Sequence, residues 1–230
     1  MEIIKGIEIL GKSLWLRKEK ILIISDLHIG YEECLNKKGI LVPRIQFKEI
    51  FNELERLLKQ VNPKTIVVNG DLKHEFGEIS NQEWSETLKI LDLLLEKAKV
   101  VLIKGNHDNI LKPIAGKRGL KIVDKYETDD ICIVHGDNIL KTDKKIVIIG
   151  HEHPAISLKE GIKTERYKCF LLGKYKNKKM VVMPSFLPII EGTDVLKGKL
   201  LSPYLKNIDN FDVFAVGDKV YKFGKVEDIK

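Results

Sequence analysis

No hydrophobic run approaches the ~20 residues that a membrane-spanning helix requires, and the opening Met-Glu-Ile-Ile-Lys-Gly carries no signal-peptide pattern. Cysteine is scarce: Cys34, Cys132 and Cys169 are odd in number and unspaced for zinc. That excludes a disulfide framework and gives the expectation of a reducing, cytoplasmic setting without membrane contact. Cys132 lies inside an apolar run and reads as a small core residue. Aromatic residues make up only 7% and are not interleaved with lysines, so no stacking module for single strands is visible. Repeats, low-complexity tracts and linkers are lacking too, which predicts a single domain over residues 1–230.

Positive charge is abundant. Lys and Arg total 40 against 33 Asp and Glu, a formal +7 with a pI near 9.1. Such a balance suits an anionic partner such as nucleic acid, although surface lysine excess alone also produces it.

The six histidines are 28, 74, 107, 135, 151 and 153, and each follows the end of an apolar run. Ile21-Leu-Ile-Ile24 reads as a strand buried on both faces and leads to Asp26 and His28. Two residues apart in an extended chain, these side chains would point to the same side. Thr65-Ile-Val-Val-Asn-Gly70 leads to Asp71 and His74, and Lys99 to Gly105 leads to Asn106-His-Asp108. Ile131-Cys-Ile-Val134 leads to His135-Gly136, and Ile146-Val-Ile-Ile-Gly150 to His151-Glu-His153. Core histidines satisfied by chance would scatter over helices and loops. In open α/β sheets the ligand crevice lies outside the carboxyl ends of strands, so this clustering points to a metal site there.

Between these runs, residues 2–18 read as two strands joined near Gly11-Lys-Ser13. Pro43 marks a helix start, with a stripe of Phe47, Ile50, Phe51, Leu54, Leu58 and Val61 that Asn62-Pro63 ends. Ser80 with Glu83 reads as a capping box for a second helix. Strand and helix alternate to residue 110, which predicts a parallel sheet with crossover helices. Beyond residue 120 strands dominate, with hairpins across Lys176-Asn177 and Gly217-Asp218. Two sheets packed face to face with helices outside are expected.

Asp26-Leu-His28, Gly70-Asp71, Gly105-Asn-His-Asp108, His135-Gly136 and Gly150-His-Glu-His153 together resemble the ordered signature of the calcineurin-like metallophosphoesterases. The fourth block departs mildly, reading His-Gly where many members read Gly-His. His28-Ile-Gly-Tyr-Glu32, Lys73-His-Glu-Phe76 and Pro184 to Thr193 further resemble the ICC-like archaeal phosphoesterases and the ligase-associated PdeM-type group. The resemblance implies a four-layer αββα sandwich of two mixed β-sheets flanked by helices. It implies two divalent metals, manganese first among iron, zinc and nickel, since mixed imidazole and oxygen ligation does not choose among them. Asp26, His28, Asp71 and His153 would hold one, and Asp71, Asn106, His135 and His151 the other, with Asp71 as the bridge. A hydroxide held between such metals would attack phosphorus in line. His107, beside a ligand, is suited to protonate the leaving alkoxide as general acid. Asp108 could orient that imidazole or cap the next helix. Gly70-Asp-Leu-Lys-His74 looks like the SbcD-type repair-nuclease form, in which that histidine contacts the scissile phosphate.

The leading expectation is therefore a metal-dependent phosphodiesterase (a hydrolase of ester bonds) acting on nucleic acid, with DNA first. Small nucleotides are the alternative substrate, and a non-catalytic scaffold is a third reading that the complete ligand set opposes. Lys37, Lys38, Arg44, Lys73, Lys112, Lys117 and Arg118 are placed near the site edge, with Lys174, Lys176, Lys178 and Lys179 as a second basic cluster. The Pro184–Thr193 loop is read either as a border of the substrate groove or as a plug at the sheet end.

Overall fold

The computed structural model describes residues 1–77, 79–189 and 191–229. Its first sheet begins with β1 (Glu2–Ile4), β2 (Ile7–Leu10) and β3 (Ser13–Leu16), which run antiparallel into β4 (Ile21–Ile24). Three strands stand where the sequence suggested two. Gly6, at φ 83°, turns the chain as sharply as Gly11 does. The parallel strands β5 (Thr65–Asn69), β6 (Lys99–Ile103) and β7 (Ile122–Val123) complete a seven-stranded sheet in sequential order. Helices α1 (Tyr31–Lys37), α2 (Gln46–Gln60), α3 (Asn81–Lys97) and α4 (Lys112–Gly116) connect its parallel strands.

The second sheet contains β8 (Lys125–Glu127), β9 (Ile131–Val134), β10 (Ile146–Ile149), β11 (Pro154–Glu160), β12 (Lys163–Tyr175), β13 (Lys178–Val182), β14 (Thr193–Asp194), β15 (Asp212–Val216) and β16 (Val220–Lys225). β9, β10 and β13 are parallel neighbours, while β12 pairs antiparallel with β11, β13 and β15, so the sheet is mixed. The hairpins at Lys176-Asn177 and after Val216 form as expected, with Tyr175 opposite Lys178 and Val216 opposite Val220.

The all-apolar strands divide their side chains between two cores. Leu22, Ile24, Ile66, Val68 and Leu102 pack against the helices. Their neighbours Ile21, Ile23, Val67, Val101 and Ile103 meet Ile131, Ile133, Ile148, Phe170 and Val181 between the sheets. Each such aliphatic side chain contributes about 1.5–3 kcal/mol when fully buried. On the far face of the second sheet, Cys132, Val147 and Ile149 are covered by Tyr204, Leu205, Ile208, Phe211 and Val226. This fourth layer is mostly irregular chain, with a 3-10 turn at Val195–Lys197 and α5 (Val226–Ile229).

Helix α2 starts at Gln46 rather than beside Pro43. The Glu32 carboxylate of α1 accepts from the Ile45 amide at 2.8 Å and from the Gln46 amide, capping α2 through space. Ser80 caps α3 as expected, accepting from the Glu83 amide at 3.0 Å. The reciprocal half of the box does not form, because Glu83 is committed elsewhere, as described below.

Candidate metal centre

The carboxyl ends of β4, β5, β6, β9 and β10 lie at one edge of the two sheets, and the histidine-bearing loops leave from there. Asp26 (φ 56°), His28 (φ 45°), Asp71 (φ 46°), His151 (φ 62°) and His153 (φ 49°) all take the left-handed backbone conformation. Among the described residues only Lys20 and Lys176 share it without being glycine. Each costs about 1–2 kcal/mol in an L-residue, so the surrounding structure must hold it. The extended-chain reason for pairing Asp26 with His28 is thus replaced: β4 has ended, and two left-handed kinks aim both side chains. Backbone bonds fix the kinks, from His28 N to Asp71 O at 2.9 Å and from Ile29 N to Leu72 O at 2.9 Å.

Three groups of donors result, two that contain the carboxylates and one of His28 with His74 and His107. Asp26, His28 and His153 offer ligand atoms that all lie within 4.8 Å of one another, and so do Asp71, His135 and His151. In the first group His153 Nε2 stands 3.1 Å from Asp26 Oδ1 and 3.4 Å from His28 Nε2. Asp71 lies between these first two groups, with Oδ2 at 3.8 Å from His28 Nε2 and 3.4 Å from His135 Nε2. Asn106 Oδ1 joins the second group, 3.1 Å from His135 Nε2. His135 Nδ1 donates to the Asn69 carbonyl at 3.2 Å, which turns Nε2 toward the centre.

Asp26, Asp71, His28 and His135 are buried. Burial alone would raise both carboxyl pKa values, yet His153, His135 and His28 outweigh it at Asp26, and His135 does so at Asp71; both are lowered. Burial and the neighbouring His153 push His28 down to about 3. Burial also works to lower His135, but Asp71 and Asp26 overcome it and lift the imidazole to about 10.

These residues fit divalent metals. Imidazole nitrogens and ionised carboxylates are the donor types that such ions take. The backbone is carved to hold them: a Cβ on Gly70 would overlap the His135 ring, one on Gly105 the Asp71 carboxylate, and one on Gly150 the Asp26 carboxylate and Ser25 Oγ. The whole chain from β4 to the last hairpin also carries a recognisable family pattern. The family described as calcineurin-like phosphoesterase matches residues 19–218. The chain belongs to this family.

Calcineurin-like phosphoesterases use divalent metals and hydrolyse phosphoester bonds. No curated protein is similar enough in sequence to count as a match. Among solved structures, the Pseudomonas putida nuclease MPE shares the fold with a TM-score of 0.66, at 18% identity over 92% of each chain. The Escherichia coli phosphoesterase YfcE (14% identity over 91% of this chain and 94% of its own) gives a TM-score of 0.44. Vps29 from Entamoeba histolytica (15% identity, 89% and 99% covered) gives 0.39.

Around the donors of this phosphoesterase, His107 is held from two sides. Its amide donates to Asp71 Oδ1 at 2.8 Å, and its Nδ1 donates to the His74 carbonyl at 2.5 Å. Nε2 is then left facing the centre, 4.0 Å from Asp71 Oδ2. Asp108 fills neither expected role. Its carboxylate accepts from Gly105 N at 3.0 Å and Lys73 N at 3.4 Å, tying two ligand loops together. The following helix α4 has Leu111 at its N-cap, without a side-chain cap. His74 Nδ1 lies 3.4 Å from His28 Nδ1, so His74 borders the first donor group. Burial, with His107 and Lys38 adding to it, pushes the His74 pKa down to about 4.

Lys38 acts on His74 from the site edge, as the sequence suggested, but several of the other basic residues are committed elsewhere. Lys73 is fully buried and its ammonium donates to the Glu75 carbonyl. Arg44 pairs with Glu33 at 2.7 Å and Arg118 with Asp92. The Lys174–Lys179 hairpin sits at the amino end of β13, whereas the donors leave the carboxyl ends of β10 and its parallel neighbours. One five-residue strand separates them, roughly 16 Å.

Several supporting residues escaped the sequence reading. Glu83 reaches from α3 to accept from His74 N at 2.9 Å and Glu75 N at 3.0 Å. Glu152, between two histidines, accepts from Leu201 N at 2.8 Å and Ser202 N at 2.9 Å and ties the fourth layer to the site loop. The start of the Pro184–Thr193 loop is a plug: Ser185, Phe186 and Leu187 are buried, and Phe186 N donates to Ser25 O at 2.9 Å. Ile190, within that loop, lies outside the described residues. Lys168 of β12 donates to Ser185 O at 2.9 Å and to the Leu187 carbonyl, which brings an ammonium under the Asp26 loop. Burial drops its pKa to about 7. A half-buried lysine in a strand carries no local sequence signal, whereas the Glu83 acid was visible but read as a cap.

Proposed function

We propose that this phosphoesterase hydrolyses phosphodiester bonds in nucleic acid, DNA first, with His107 as general acid. The observation that carries this reading is the fixing of His107: its Nδ1 is committed to the His74 carbonyl while Nε2 faces the donor cluster. An alkoxide leaves a phosphodiester poorly without a proton, and a histidine held in this way supplies one from Nε2. Asp26, His28, Asp71 and His153 would hold one divalent metal, and Asp71, Asn106, His135 and His151 the other. When bound, such ions lower the pKa of water and stabilise charge on the attacking and leaving oxygens. His74, beside His28, would contact the scissile phosphate and orient it. Asp108 and Glu83 would act as positioning residues, holding the loops that carry Asn106 and His74.

The net charge of +7 supports a polyanionic substrate. The same fold also carries a protein described as a nuclease in Pseudomonas putida. Three buried free cysteines support action in the reducing cytoplasm. A second reading, a phosphodiesterase or pyrophosphatase of small nucleotides, rests on a cleft of about 370 Å³ that opens on Asn106 and His135, with room for a single nucleoside. Measuring kcat/KM for an oligonucleotide and a panel of nucleotides, with manganese and at two salt concentrations, separates the two. Steep weakening of oligonucleotide binding with salt is expected, because each neutralised phosphate releases counterions. A small nucleotide preferred by several orders of magnitude, with no salt slope on DNA, would remove the nucleic-acid reading.

A further inference from the structure

Phe76 is 53% exposed, and its ring centre stands 3.8 Å from that of His107, tilted by 35°. Behind His107 the His74 ring is stacked at 5.1 Å with a 28° tilt, and the edge of Tyr31 meets His74 at 4.7 Å. The rings of His74, His107 and Phe76 therefore form a short stack that starts beside the donor cluster and ends in solvent. One face of Phe76 is taken by His107; the outward side is open. A phenylalanine ring offers no hydrogen bond, so what it presents there is a flat apolar surface next to the group that protonates the leaving oxygen.

The platform is held in place. Its segment is pinned by Glu83 through the amides of His74 and Glu75, and by the Lys73 ammonium through the Glu75 carbonyl. Lys38, within electrostatic reach of His74, puts positive charge on the same rim, where Lys37 pairs with Glu75 at 3.5 Å. A flat apolar face flanked by a cation beside a phosphodiester centre matches one ligand chemistry, a nucleobase attached to a phosphate backbone. We propose that Phe76 is the stacking platform for the base of the nucleotide on the leaving side of the scissile phosphate. This rests on the nucleic-acid reading above and on His107 marking the leaving side. It makes the enzyme selective for a base-bearing nucleotide in single-stranded form, since a base inside a duplex has both faces covered by its stacked neighbours.

The alternative role for Phe76 is to cover His107, and the two differ in what the substrate must contain. The test compares thymidylyl-thymidine with two counterparts, each carrying 1,2-dideoxyribose in place of one nucleoside. Parent, Phe76→Ala and Phe76→Trp are assayed on all three. Stacking of one base predicts that the parent prefers the base on one side by roughly ten- to a hundredfold in kcat/KM. Phe76→Ala should erase that preference while cleaving the counterpart that lacks this base within about twofold of the parent rate, and Phe76→Trp should retain it. Equal loss on all three substrates in Phe76→Ala would show a cover for His107 and overturn the platform. Cleavage by the parent that ignores both bases would overturn it as well, leaving the nuclease reading intact. If the parent hydrolyses simple diesters but no dinucleotide or oligonucleotide, the nucleic-acid reading falls and takes the platform with it.

Discussion

The parallel strands of the first sheet deliver Asp26, His28, Asp71, His74, Asn106 and His107 on loops that run on into helices, whereas the second sheet delivers only His135, His151 and His153. Both donor carboxylates, His107 and the exposed rim thus come from one side. The other side supplies imidazoles, and between β10 and β11 it does so within the four residues Gly150 to His153. The long loops of the first side are tied down by side chains from a distance, Glu83 and Asp108 among them. The carboxylates are therefore carried by chain that packing must hold. The imidazoles of the second sheet are carried by turns that the sheet itself holds.

Removing charge from the first side should have the largest effect. Asp71→Asn takes away the carboxylate that stands between His28 and His135. Hydrolysis of bis-p-nitrophenyl phosphate should fall by more than the ~10–100-fold that loss of a supporting partner costs. Bound metal per chain, measured by mass spectrometry, should fall with it. Activity within tenfold of the parent under limiting metal would remove Asp71 as the link.

His107→Ala should come next, with a loss of roughly 10²–10⁴ and bound metal near the parent's. The loss should shrink on bis-p-nitrophenyl phosphate, whose leaving group scarcely needs a proton. Loss of metal in this variant would make His107 a ligand instead.

A moderate effect is expected where the second side supports the first. The half-buried Lys168 ammonium lies beneath the Asp26 loop, with its pKa brought from 10.5 to about 7 by desolvation. Between those values the unfolded chain binds the proton and the folded chain does not, so this group makes stability rise with pH from about 7 to 10.5. Below pH 7 its cost is fully present. The stability of the parent relative to Lys168→Met, from urea unfolding, should therefore increase across that window. A difference that is flat with pH would place the ammonium in contact with solvent.

The smallest effect should come from replacing Lys176, Lys178 and Lys179 with Ala together. These residues lie at the end of the second sheet opposite the donors. Activity on small diesters should stay within twofold, and the salt slope on a short oligonucleotide should be unchanged. A flatter slope would show that bound nucleic acid reaches around to that end.

The comparison also marks how far the sequence could be read. The five strand-end clusters were legible because a buried strand has an unmistakable run of aliphatic residues and because the six histidines fall nowhere else. The hairpin at Lys176-Asn177 and the Ser80 cap were legible for the same local reason: their determinants lie within a few residues of one another. The third N-terminal strand was missed where Gly6 acts alone as a turn. The start of α2 was missed because its cap, Glu32, lies 13 residues before the amide it satisfies.

By itself, then, the sequence determined the two kinds of sheet, the order of the strands that carry donors, the family and the residue types of the site. Only the tertiary structure decided that Asp26 and His28 converge through left-handed kinks, that Lys73 is buried and that Lys168 is half-buried under the Asp26 loop. It also decided that Glu83 holds the His74 loop, that the hairpin lysines sit at the far end and that Phe76 stands open beside His107. The physical reason is range. Periodicity and turn chemistry act between neighbours, whereas burial, left-handed strain and long-range hydrogen bonds are satisfied only when segments tens of residues apart are packed together.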